Sequence, residues 1–192
     1  MYRFCYIAVT VDEVLVDGAR RAIEEHGASG ATLERIAAAA GLSRMTLHRR
    51  GVSRAAILAA LAEQLEADYR NAMWPALVAD VETTRDRLEL ALAAQCDVAD
   101  ANLGVLDALD DATRDAVFHQ GSLTREVFVE PLIRLFRDGG SDGSLRVVED
   151  PVEAATVVFN VVGHGYRHLR SGHGWTHERA RDAVVRLAMD GV

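Results

Sequence analysis

Apolar positions recur every three to four residues along nearly the whole chain, and no stretch shows the strict alternation of a half-buried strand. The pattern predicts an all-α protein. A first helix is expected from about Val11 to Glu25, with Val14, Leu15, Ala19, Ala22 and Ile23 on its inner face and Gly27 ending it. Thr32 reads as the N-cap of a second, short helix. Glu34 then complements the dipole in its first turn, and Leu33, Ile36, Ala37 and Ala40 supply one buried stripe as far as Gly41. Ser43 caps a third helix to about Arg50, and Gly51 breaks it. Ser53 opens a long fourth, whose face of Ile57, Leu58, Leu61, Leu65, Tyr69, Ala72 and Met73 closes at Trp74 and Pro75.

The rest reads as a helical body. Amphipathic stretches run from about Val81 to Val98 and from Leu103 to Leu109. Another, from about Leu123 to Asp138, turns Phe128, Leu132, Ile133 and Phe136 inward, with a kink expected at Pro131 and a loop from Gly139 to Gly143. Asp150, Pro151 and Glu153 stand at N-cap, first and third helical positions, a strong helix start. That helix carries Ala155, Val158, Phe159, Val162, Tyr166 and Leu169. Thr176 caps a last one with Ala180, Ala183, Val184, Leu187 and Ala188 inward.

Two short helices joined through Gly41, Leu42 and Ser43 meet the needs of a helix-turn-helix. Small residues lie at the crossing (Ala37, Ala40), a glycine at the turn, and an apolar anchor, Leu47, on the inner face of the second helix. Charge sharpens the picture. Net charge is −8, yet all 21 basic residues are arginines and they are unevenly placed. Through residue 54 there are eight arginines against six acids; beyond it, thirteen against 23. A relatively basic head on an acidic body is the asymmetry expected when one part meets a polyanion.

The segments TLERIA (32–37), AGLSRMTL (40–47) and SRAAIL (53–58), with Gly27 before them, resemble the TetR family of bacterial transcriptional repressors. Phe136, Arg137 and Asp138, the glycine loop to Leu145, and Asp150 with Pro151 are similar to that family's C-terminal half. The resemblance implies an N-terminal three-helix DNA-binding domain, about residues 9–54, and a helical effector-binding and dimerisation domain, 55–192. It further implies that Thr32 and Ser43 meet phosphates, and that Arg44, Met45 and Thr46 face base edges. His48, Arg49 and Arg54 complete the DNA-contacting set, Arg54 as a phosphate contact. The expected unit is a homodimer on a palindromic double-stranded DNA operator, released by a small-molecule effector. Two departures stand out. His48 replaces the family's usual tyrosine, and Arg50 with Gly51 replaces a phenylalanine anchor. Phe4 or Tyr6 is one candidate to fill the vacated space.

Tyr69, Trp74, Phe118, Phe128, Phe136 and Phe159 are the candidate effector-lining residues, with plain core packing as the alternative for each. Val158, Val162, Gly163, Tyr166, Val184 and Leu187 are the candidate dimer contacts on the last two long helices. Gly163 and Gly165 fit either a close approach across a dimer or a bent helix end. His164, His168, His173 and His177 invite a metal, but no cysteine or acidic ligand falls at a fitting spacing, so no metal or cofactor is expected. A helical-bundle enzyme or carrier remains the alternative, although no nucleophile–base arrangement is visible. Cys5 and Cys96 make no ligand motif, no membrane-length apolar run occurs, and Asp12 and Glu13 follow the short N-terminal apolar stretch. A cytoplasmic protein is expected.

Overall fold

A computed structural model describes residues 11–114 and 128–192, and all regular structure among them is helical. The chain divides into two compact units. The first, the head, takes the described residues up to Gln64 together with those from Gly104 to Arg114; the second, the body, takes Leu65–Leu103 and the described residues from Phe128 on.

In the head, α1 (Glu13–Gly30) starts where Asp12 Oδ1 accepts the Leu15 amide at 3.1 Å. Leu15, Ala19, Ala22 and Ile23 are buried as the periodicity predicts, but Val14 is 52% exposed and Val16 is buried instead. Gly27, at φ 72° and ψ 169°, breaks the helix, leaving one further turn to Gly30. Next come α2 (Leu33–Ala39) and α3 (Arg44–Arg49). The Ser53 hydroxyl accepts the Ala56 amide at 3.1 Å and opens α4 (Arg54–Leu77). Trp74 and Pro75 do not close α4. The proline lacks only its own N–H, so the helix forfeits one bond to the Asn71 carbonyl and ends at Leu77. α1 and α2 cross where Gly18 meets Ala40, and α6 (Leu103–Arg114) sets Gly104 against Ile23.

In the body, α5 (Thr84–Ala101) begins at a reciprocal capping box. Thr83 Oγ1 accepts the Asp86 amide and Asp86 Oδ2 accepts the Thr83 amide, both at 3.1 Å. α7 (Glu130–Asp142) has Pro131 in its first turn, where a missing N–H costs nothing, so the proline starts this helix rather than kinking it. It also runs straight through the expected glycine loop. Leu145 folds back onto Gly139, where a Cβ would stand 2.5 Å from Leu145 Cδ1; packing explains that glycine. Asp150 Oδ1 accepts from Val152 and Glu153 and starts α8 (Pro151–Arg167). A π-helical turn, His168–Gly172, leads to α9 (His177–Asp190), capped by Thr176. α5 packs against α7, α8 and α9, enclosing Leu88, Leu92, Leu132, Phe136, Val162 and Ala180.

Candidate nucleic-acid interface

The turn between α2 and α3 is built by backbone chemistry. Gly41 adopts φ 69°, which a side chain would strain, so that the Leu42 amide reaches back to the Ala37 carbonyl at 2.8 Å. Ser43 Oγ then accepts the Thr46 amide at 3.1 Å and lies 2.9 Å from Thr46 Oγ1. Leu47 is 2% exposed beneath α3, near-buried like Ile36, Ala37 and Ala40. With that side fixed inward, Arg44, Met45, His48 and Arg49 are left in solvent on the other, Met45 at 74% exposure.

The far end of α3 is closed without the family's aromatic. Gly51, at φ 67°, lets the Val52 amide reach the Leu47 carbonyl at 3.1 Å, and Val52 is buried. Arg50 Nη1 pairs with Asp12 Oδ2 at 3.0 Å, tying the end of α3 to the cap of α1. Phe4, Tyr6 and the first two residues of the 9–54 span lie outside the described residues.

Residues 35–62 hold five arginines and no acid. Three of the five are engaged within the head. Arg35 donates to the Gly30 carbonyl at 2.8 Å, Arg50 pairs with Asp12, and Arg54 Nη2 donates to the Ala28 carbonyl at 3.0 Å. Arg54, expected to hold a phosphate, thus braces the turn after Gly27 against the start of α4. Arg44 and Arg49 form no hydrogen bond or ion pair among the described residues, so their donors face outward. Thr32 is exposed, its hydroxyl accepting the Arg35 amide at 3.3 Å.

Residues 15–61 match the family model for bacterial regulatory proteins, tetR family. The segment holding α2 and α3 is therefore a tetR-family segment. Solved structures share the chain's fold end to end. PfmR, a TetR-family transcriptional regulator from Thermus thermophilus, is 21% identical with a TM-score of 0.74, covering 93% of this chain and 98% of its own. A Rhodococcus sp. RHA1 protein of unknown function is 22% identical with a TM-score of 0.70, covering 98% of each. FadR of Bacillus subtilis, solved with stearoyl-CoA, is 15% identical with a TM-score of 0.68, covering 93% of this chain and 98% of its own. No curated protein matches the chain in sequence. No described helix is long and apolar enough to cross a membrane.

The body brings together only part of the expected effector set. The rings of Tyr69, Phe128 and Phe159 meet at centroid distances of 4.8, 6.1 and 6.0 Å, and the Tyr69 hydroxyl donates to the Phe128 carbonyl at 2.8 Å. Burial drives the Tyr69 pKa far up, so it stays a neutral phenol. Phe136 is buried in the α7 core, making no ring contact among the described residues, and Phe118 lies outside them. Trp74 is 66% exposed, because its position on α4 lies away from the buried row of Leu65, Tyr69 and Met73. Sequence reasoning missed Gln95. This 5%-exposed amide donates through Nε2 to the Phe159 carbonyl at 2.8 Å; the available signal was a polar residue in register with Leu88 and Leu92.

Burial separates the expected dimer residues. Val162 and Tyr166 are fully buried and Val184 nearly so, all within one protomer, and Val158 is half-buried. Gly163 serves Gln95, since a Cβ there would lie 3.0 Å from Gln95 Nε2. The outward apolar residues of α8 are Val157 and Val161, at 53% and 55% exposure, while Leu187 of α9 is 70% exposed rather than inward. Beneath them runs a polar network, also unseen in the sequence. Tyr166 Oη donates to Asp100 Oδ1 at 2.7 Å and stands 2.7 Å from His177 Nδ1, and Arg170 Nε donates to the same Asp100 oxygen at 2.6 Å. Among the described residues, no three His, Cys, Asp or Glu side chains gather as a metal site would need. Cys96 is buried, its thiol pushed up to about 12 chiefly by desolvation and so unreactive.

Proposed function

We propose that this chain is a ligand-responsive repressor that binds a palindromic operator in cytoplasmic DNA as a homodimer and leaves it when a small molecule enters the body. The observation that carries the reading is the solvent-facing row of Arg44, Met45, His48 and Arg49 above the buried Leu47. Arg44 matches the bidentate contact to a guanine edge, Met45 and the Thr46 methyl match a thymine methyl, and Arg49 and His48 match backbone oxygens. One six-residue helix reads too few bases for useful specificity, which favours two copies about 34 Å apart. Release follows if the effector prefers a head spacing that misses successive major grooves. α4 is the element to carry it, since it supplies Arg54 to the head and Tyr69 to the body. The stearoyl-CoA complex of the Bacillus subtilis neighbour supports a ligand in the body.

A gel shift on DNA upstream of the chain's own gene tests the DNA reading. Arg44→Ala is expected to relax sequence preference, costing about 1–3 kcal/mol on the best site and far less on random DNA. Arg54→Ala, which removes a bond inside the head, should lower the melting temperature and leave sequence preference intact. Equal binding of every sequence by the unaltered protein sinks the reading. For the dimer, the exposed pair on α8 is decisive. Val157→Asp combined with Val161→Asp places two charges on a desolvated face, and sedimentation is expected to show a folded monomer that no longer shifts the operator.

A further inference from the structure

We propose that the effector is a largely apolar molecule that donates one hydrogen bond, from a hydroxyl or an amide N–H, to Gln95 Oε1. The inference rests on the reading that the body binds an effector, and it names the chemistry of that ligand. Gln95 is 5% exposed, and its Oε1 is buried with no hydrogen-bond partner. The orientation of the amide is fixed by its neighbour. The Phe159 carbonyl only accepts, so the nitrogen faces it at 2.8 Å and the oxygen is the atom left over. Gly163 makes the approach possible, because any side chain there meets the amide nitrogen. The chain therefore gives up a helix-favouring residue to seat a polar group whose oxygen it then leaves unanswered.

The surroundings say what answers it. Phe159, whose carbonyl accepts from the amide nitrogen, is half-buried and its ring meets those of Tyr69 and Phe128, so the amide's neighbour belongs to an apolar aromatic cluster. The one hydroxyl proton of that trio is committed to the Phe128 carbonyl. Among the described residues, Gln95 Oε1 is the one buried side-chain acceptor left without a hydrogen-bond partner. A trapped water needs two or more polar partners, which aromatic rings supply poorly, whereas a ligand brings its own apolar bulk along with the donor. A buried amide oxygen also discriminates. A ligand whose donor is methylated leaves Oε1 dry and unpaired, and the site rejects it.

The test uses the full chain and two matched pairs of probes: 4-propylphenol with 4-propylanisole, and 1-octanol with octyl methyl ether. Calorimetric titration of the unaltered protein is expected to show the hydroxyl member of at least one pair binding about tenfold tighter than its ether. In Gln95→Met, of similar length and volume, that ratio should fall to about one, with the ether bound no worse than before. Gln95→Leu repeats the comparison should the methionine variant melt early, and the ratio in the unaltered protein needs no variant at all. Hydroxyl and ether bound alike, or a preference that survives loss of the amide, overturns the proposal; if those compounds still free the operator in a gel shift, the effector reading itself stands. If no probe binds or frees the operator, both fall together.

Discussion

Replacing Gly18 by valine will weaken operator binding at least tenfold and lower the melting temperature of the head. A Cβ at this position stands 2.8 Å from Ala40 Cβ, 2.9 Å from Ala40 N and 3.0 Å from Ala40 Cα. Two of those three atoms are backbone, so no flexible side chain can swing aside, and the helices themselves have to separate. Overpacking of this kind costs about 1–3 kcal/mol for small insertions, and valine's two branches push towards the upper end. The damage falls where orientation matters most. Ala40 caps α2, its amide bonded to the Ile36 carbonyl at 2.9 Å, and the next two residues form the turn that aims α3. A loss of at least tenfold in operator affinity is therefore expected in a gel shift, with a lower thermal midpoint by circular dichroism. Gly140→Ala is the control: the nearest atom to a Cβ there is 4.0 Å away, so the change should be neutral or slightly stabilising. A Gly18→Val protein that melts and binds like the parent would overturn the crossing.

The second large effect is expected from Tyr166→Phe. Tyr166 is fully buried, and its hydroxyl links α8 to Asp100 of α5 and His177 of α9. Its single proton goes to Asp100, so the ring nitrogen of His177 is the donor to the hydroxyl oxygen. Deleting that oxygen leaves both partners short of a bond in a partly dry site, a loss of about 1–3 kcal/mol. The pH dependence is the distinguishing readout. Burial alone raises the Asp100 pKa, but the bonds from Tyr166 and Arg170 and the charges of Arg170 and His177 outweigh it, holding the carboxyl below its ordinary value. A depressed carboxylate adds stability that is complete above the unfolded-state value of about 3.9 and is lost as pH falls through the folded-state value. Without the hydroxyl, Asp100 lies closer to its unfolded value, so the variant's stability falls less steeply in acid. Melting curves should thus show the gap between parent and variant widest near neutrality and narrowing below about pH 4. A gap independent of pH would mean that the hydroxyl only fills space.

Local chemistry was legible in the sequence; chemistry made by distant partners was not. The caps at Thr32, Ser43, Asp150 and Thr176 act on amides two or three residues away, so each could be read directly. Thr83 and Asp86 carry the same signal, and only the apolar residue before them drew the expected start of α5 too early. Inner faces were right except at their edges. Val14 and Leu187 lie at the edges of their stripes, where the neighbouring helix decides between them and Val16 or Val185. Gly139 read as a loop because its reason is Leu145, and the bond from Arg54 to the Ala28 carbonyl went unseen because Ala28 is 26 residues away. Gln95, Asp100, Tyr166, Arg170 and His177 meet only after α5, α8 and α9 have packed, and no spacing rule connects them.

Asp12 serves two helices at once, one oxygen capping α1 and the other gripping Arg50 at the end of α3. Both members of that ion pair are over 40% exposed, so dissolved ions weaken it along with every contact to the duplex backbone. A plot of log affinity against log salt consequently carries a small contribution from inside the protein. If the head binds duplex DNA as proposed, the number of displaced counterions inferred from its slope will exceed the number of phosphates it touches.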